Sequence, residues 1–261
     1  MAKTKRVIRI TAGRLVSIVE YNQAMPYDPP EVRAKKSKHS SLARQKINYR
    51  LCYQTCQLFL AANFYRGDLY VTLPYSDDWL PMTRKAANAL LAKFIKNLRL
   101  ARKLTGDTLT YIYSTHELTG DGGRRYHHHL VINAGAERGD YETIKSLWPY
   151  GDNVEISKIC DTEHYRHDDF LELAMYLTRE KNPDAPLTAV GARGWTGSRN
   201  LKKPVRHTEL VDENLTITIP PNAFIIESEE KVNEFGAFKY IRYLLPEPPG
   251  PTKAPRPQKK E

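Results

Sequence analysis

Three histidines stand in a row, His127-His128-His129, preceded by Arg124-Arg125-Tyr126 and followed by Leu130-Val131-Ile132. The apolar run predicts a β-strand, and side chains along a strand alternate between its faces. His127 and His129 then point one way and His128 the other. Two imidazoles one strand-step apart on one face can hold a single divalent metal ion. Farther along, Tyr176 and Arg179 sit three apart in a stretch of helical periodicity, so a phenol and a guanidinium share a helix face. Cleaving a phosphodiester needs a nucleophile, a Lewis acid on the phosphoryl oxygen and stabilisation of the developing charge. These residue types supply one of each.

The surrounding pattern predicts the elements that position them. Leu69-Tyr70-Val71-Thr72-Leu73-Pro74-Tyr75 is rich in strand formers and ends at a proline. Thr83 opens a helix to about Leu104, with Ala87, Leu90, Leu91, Phe94, Leu98 and Ala101 as its core stripe. Residues 108–117 alternate as a strand, Gly120-Asp121-Gly122-Gly123 makes a hairpin loop, and the histidine strand follows. With the loop centred near Gly122, Glu117 pairs with His127 and Thr115 with His129. Facing residues of a hairpin share a side of the sheet, so Glu117 is expected as a third ligand and His116 to face away. A slip of one residue would exchange those roles. A short helix over 140–148, a strand over 154–159 and a helix from Asp168 or Asp169 to about Lys181 complete the pattern. The last carries Tyr176 and Arg179 on one face and a packing stripe of Phe170, Leu173, Ala174 and Leu177.

The chain has 261 residues, 41% of them hydrophobic, and a net charge of +10. That is enough apolar material for a real core, and the basicity points to a polyanionic partner, most naturally nucleic acid. Its three cysteines, Cys52, Cys56 and Cys160, form no secreted framework, and no apolar run approaches membrane length, so a cytoplasmic location is expected. Basic residues gather at Lys35-Lys36-Ser37-Lys38-His39, along the 84–103 helix and in the Gly-punctuated loop 191–204. In that loop Arg199, Lys202 and Lys203 are candidate phosphate contacts, and Trp195 either stacks on a base or anchors packing. The expected layout is a basic N-terminal arm and helix (1–65), a core (66–205), a C-terminal region of two short strands and a helix (206–245), and a Pro/Lys-rich disordered tail (246–261).

Four stretches resemble the HUH endonuclease superfamily, the rolling-circle replication initiators (Rep) of small plasmids and phages. Leu69–Tyr75 resembles the first motif, an apolar strand ending in Thr-Leu-Thr-Tyr. Tyr126–Ile132 resembles the metal motif, His-x-His with a hydrophobic tail. Tyr176-Leu177-Thr178-Arg179 resembles the nucleophile motif Tyr-x-x-Lys, and Ser198-Arg199-Asn200-Leu201-Lys202-Lys203-Pro204 an element of replication proteins from Gram-positive plasmids and phages. Together they span roughly 69–204. Two positions depart from the family pattern: His128 stands where a bulky apolar residue is usual, and Arg179 replaces the lysine. Arginine keeps the charge but is a poor proton donor.

The resemblance implies an α+β fold with a central antiparallel sheet of about five strands flanked by helices. It implies Tyr176 as the nucleophile that forms a 5′-phosphotyrosine and frees a 3′-hydroxyl, with Arg179 beside it. Mg²⁺ or Mn²⁺ would be held by His127, His129 and Glu117. The implied partner is single-stranded or hairpin origin DNA. Helicase and polymerase would come from the host or another chain, since no G-x-x-x-x-G-K-[ST] loop is present. Glu172 and Glu180 occupy the neighbouring turns where two-tyrosine relatives carry a second hydroxyl, so the closing step would use water or a second protomer. The alternative is a non-catalytic origin- or single-stranded-DNA-binding protein on the same fold.

Overall fold

The structure, a computed structural model, describes residues 4–22, 42–118, 123–135, 140–159, 169–184, 193–233 and 236–246. The Lys35–His39 cluster, most of the Gly120–Gly123 loop, Asp168, Cys160 and the tail from 247 lie outside them. The chain divides into two units: residues 27–205 form one, and residues 1–26 with 206–261 form the other.

The 27–205 unit is built on a five-stranded antiparallel sheet. Its strands are β3 (Leu69–Leu73), β4 (Tyr111–Leu118), β5 (Arg124–Ile132), β6 (Glu155–Lys158) and β7 (Thr196–Gly197), in the order β6-β3-β5-β4-β7. Alternation sorts its residues between two faces. On one face, Leu69, Val71 and Leu73 of β3 and Leu130 and Ile132 of β5 meet Ala87, Leu91, Phe94 and Leu98 of helix α2 (Arg84–Leu104). Ile144 of helix α3 (Asp140–Ser146), with Trp148 and Tyr150 in the segment after it, closes this core. Thr83 caps α2 by accepting from the Ala86 N–H at 3.1 Å, a contact that satisfies a helix-terminal donor. Over the other face lies α4 (Leu171–Leu177), on which helix α1 (Leu42–Asn63) packs.

The last helix is shorter than the sequence predicts. α4 ends at Leu177, and residues Arg179–Lys181 tighten into a 3₁₀ turn. The Lys181 N–H donates to Thr178 O at 2.8 Å instead of reaching back four residues to Leu177 O. That leaves the Leu177 carbonyl for another partner.

In the second unit the described part of the expected arm is a hairpin of β1 (Thr4–Ala12) and β2 (Leu15–Tyr21). The expected C-terminal helix is absent among the described residues. In its place stand β8 (Val205–Asp212), β9 (Phe224–Asn233) and β10 (Gly236–Leu244), and the sheet runs β8-β1-β2-β10-β9. Pairing decides this: Ile241 faces Ile18 and Tyr243 faces Val16, and with Val7 these bury a small core. Such cross-strand burial overrides local propensity. No helix among the described residues is long and apolar enough to cross a membrane.

Candidate metal centre

His127 and His129 project from β5 onto the face opposite α2, as their alternation requires. The residue that joins them is His116 of β4, not Glu117. One nitrogen from each of His116, His127 and His129 lies within 4.8 Å of the others. In the ladder His116 faces His127, Ser114 faces His129 and Thr115 faces His128, one residue away from the expected register. The cause is a bulge: the pairing shifts between His116 and Leu118, so that β5 places two residues opposite Glu117. A shift of one residue exchanges the two faces of a strand. Glu117 accordingly leaves the cluster, with its carboxylate 3.5 Å from Arg124 and 3.9 Å from Arg84.

Each imidazole has an outer partner that fixes which nitrogen is free. His116 Nε2 donates to Leu177 O at 3.0 Å, the carbonyl released by the 3₁₀ turn. Its Nδ1 is buried without a hydrogen-bond partner. His127 Nδ1 donates to Arg125 O at 2.9 Å, which leaves Nε2. His129 Nδ1 lies 2.6 Å from Tyr70 Oη and 3.3 Å from Thr72 Oγ1, which again leaves Nε2. Metal-ligating histidines characteristically hand their second N–H to such outer partners. Burial holds all three rings below the ordinary histidine range, His116 at about 4, and the Arg179 charge acts in the same direction. A neutral imidazole is the ligating form. The orphaned Nδ1, the converging lone pairs and the neutral rings fit a divalent ion with three nitrogen ligands and open positions. That donor set suits Mn²⁺ or Zn²⁺ better than Mg²⁺, which prefers oxygen.

Tyr176 is beside this cluster. Its Oη is 3.4 Å from His129 Nε2, the two rings meet edge-on at 5.0 Å, and the residue remains 37% exposed. Arg179 lies over the Tyr176 ring, its Cζ 4.7 Å from the centroid, and its Nη2 reaches His127 Nε2 at 3.4 Å. Tyr70, Thr72, His127, His129, Tyr176 and Arg179 line an open cleft of about 440 Å³, with Glu155 of β6 also on its wall. Phe170, which precedes α4, has a left-handed backbone (φ 56°) and is buried. The buried Gln57 amide donates to the Asp169 carbonyl at 2.6 Å, and the Asp169 carboxylate accepts from Leu171 N at 3.2 Å, so the start of the tyrosine helix is pinned. Behind His116, Glu180 is 7% exposed and accepts from Arg84 at 2.7 Å and from the Glu117 N–H.

Of the sequence-derived candidates, Tyr176, Arg179, His127 and His129 converge. Trp195, Arg199, Lys202 and Lys203 belong to the segment around β7 instead. Trp195 is half-buried against Phe59 of α1, ring centroids 5.4 Å apart, which is the packing role. Arg199, Lys202 and Lys203 are exposed. Their backbone is stapled: Asn200 donates to Leu109 O at 3.2 Å, and Asn63 holds both polar backbone atoms of Lys202. His116 is a cluster member that the expected register sends to the other face, and sequence reasoning assigns Tyr70 and Glu180 no contact with the histidines. The only signal for His116 is that a one-residue slip would bring it in. Against known proteins, the chain matches no family model, no curated protein and no solved structure.

Proposed function

We propose that this protein is a metal-dependent, tyrosine-based DNA endonuclease and strand transferase of HUH type, which nicks a rolling-circle origin to initiate replication. The observation that carries the reading is the partly exposed Tyr176 hydroxyl 3.4 Å from a three-histidine cluster, with Arg179 against its ring. A tyrosine, a cation and a metal-competent centre in one open cleft are the parts needed for covalent phosphodiester cleavage.

His116, His127 and His129 would hold Mn²⁺ or another divalent ion, which when bound supplies Lewis acidity toward a phosphoryl oxygen. Tyr176 Oη, having lost its proton to water, attacks the scissile phosphorus. The tyrosyl O–P bond forms as the P–O3′ bond breaks, and the departing 3′ oxygen takes a proton from water. The products are a 5′-phosphotyrosine and a 3′-hydroxyl that a polymerase can extend. The phosphotyrosyl link keeps the bond energy, so a 3′-hydroxyl can later reverse the step. Arg179, lying against the Tyr176 ring, neutralises the phosphate as a fixed charge rather than a proton donor. Arg199, Lys202 and Lys203 offer cations to the DNA backbone. A separate helicase and polymerase complete the process.

The test is incubation with single-stranded origin DNA and Mn²⁺, read on a denaturing gel. Wild type should give a protein–DNA adduct that chelator prevents and Tyr176→Phe cannot form. DNA binding without an adduct would turn the reading to a non-catalytic DNA-binding protein.

A further inference from the structure

Strand β3 supplies no nucleophile, metal ligand or cation, yet its two cleft-facing side chains, Tyr70 and Thr72, both end at His129. Tyr70 Oη is 2.6 Å from His129 Nδ1, and Thr72 Oγ1 is 3.3 Å from the same atom. The Tyr70 and His129 rings are also nearly parallel, 11° apart with centroids at 5.7 Å. His127 relies on the Arg125 carbonyl, and His116 Nε2 is shared between the Leu177 carbonyl at 3.0 Å and Ser114 Oγ at 3.1 Å. His129 is thus the one member of the trio whose outer nitrogen is held by side chains alone.

We propose that Tyr70, backed by Thr72, is a positioning residue that sets how tightly the histidine centre holds its metal ion. With Nε2 of His129 facing the cluster, a neutral ring carries its proton on Nδ1, and Tyr70 Oη accepts it. The hydrogen bond fixes the tautomer, and the stacked phenol fixes the ring plane. Outer partners of this kind also raise the basicity of the ligating nitrogen. Tyr70 does not attack DNA, because its hydroxyl engages the nitrogen on the far side of the imidazole from Tyr176, which approaches Nε2. The inference rests on the metal-centre reading but not on the nature of the substrate.

The experiment is Mn²⁺ titration of the metal-free full chain, following free Mn²⁺ by electron paramagnetic resonance. Tyr70→Phe keeps the ring and loses only the hydroxyl. Its Kd for Mn²⁺ should rise by about 10- to 100-fold, while the thermal midpoint of the metal-free protein stays at the wild-type value. Should Thr72 take over the proton in that variant, the Tyr70→Phe/Thr72→Val double variant exposes the full loss. A double variant that binds Mn²⁺ within twofold of wild type overturns the proposal. So does a Tyr70→Phe variant with normal Mn²⁺ affinity that nicks but does not rejoin, which would make Tyr70 a second nucleophile. Failure of the centre itself looks different: wild-type Mn²⁺ uptake would be absent, or would survive His129→Ala.

Discussion

Three consecutive histidines of β5 divide between the two faces of one sheet, and the faces treat them differently. On the α2 face His128 is fully buried and has both nitrogens occupied: Nε2 is 2.7 Å from Tyr75 Oη and Nδ1 is 2.9 Å from Thr115 Oγ1. Those hydroxyls also lie against Ala87 O and Asn88 Oδ1, and a neutral ring donates from one nitrogen and accepts at the other, so neither nitrogen of His128 is left open. On the α4 face His127 and His129 each have one nitrogen tied to an outer partner and the other turned toward the cluster. Burial is similar for His128 and His129, at 0% and 3% exposed. What separates a core histidine from a candidate ligand here is the second nitrogen. Where buried hydroxyls close on both nitrogens at 2.7 and 2.9 Å the ring is structural; where the second nitrogen meets only cleft side chains at 3.4 Å, Tyr176 for His129 and Arg179 for His127, its lone pair stays within reach of a metal ion.

That contrast breaks most sharply under truncation. His129→Ala should abolish tight Mn²⁺ binding in a titration of the metal-free protein and leave the fold intact. His128→Ala should do the reverse: it opens a core cavity, lowering unfolding free energy in a denaturant melt by about 2–4 kcal/mol, while the folded fraction keeps its Mn²⁺ affinity. If His128→Ala lost metal and kept stability, the assignment of the two faces would be inverted.

A second test uses pH. Burial holds His128 at about 3 against an ordinary value of 6.5, and the nearby charges of His127 and Arg84 push the same way. Between those values the unfolded chain binds the proton that the folded chain refuses. Stability is therefore whole above pH 6.5 and is lost as pH falls toward 3, at about 1.4 kcal/mol per pH unit for one such group. His128→Leu keeps a similar volume and leaves the Tyr75 and Thr115 hydroxyls their second partners. Its stability–pH slope, from melts of the metal-free protein, should be shallower than wild type by about one proton.

The smallest expected effect concerns register. Glu117→Gln should leave the Mn²⁺ Kd within about twofold of wild type, because a group outside the ligand set and its outer partners carries none of their 10- to 100-fold influence. A larger change would restore the register in which Glu117 faces His127.

Much of this was legible in the residues themselves. Strand alternation separates His128 from its neighbours, a spacing of three brings Arg179 over Tyr176 even though a 3₁₀ turn replaces the last helical turn, and the apolar stripe of α2 with its Thr83 cap is visible in the chain. Two kinds of information were not. The third histidine depends on a bulge, and one extra residue in a hairpin leaves no mark on an alternating pattern. The carbonyl that holds His116 is free only because the helix tightens after Leu177, a choice made by tertiary contacts. The sheet of the other unit was hidden for a further reason. Pairing of Ile18 with Ile241 joins residues more than two hundred positions apart, and local propensity does not encode that.

That long-range pairing sets an order of events during synthesis. β2 leaves the ribosome well before β10, its neighbour in the sheet, is made. At about 5–20 residues per second the interval is roughly 10–40 s. Until β8, the neighbour of β1, is made, β1 and β2 form only a two-stranded hairpin, which is marginal by itself in water. The strands of the histidine sheet, all between residues 69 and 197, are complete before β9 and β10 are translated. The centre can therefore assemble on the nascent chain while the first twenty residues still await their partners.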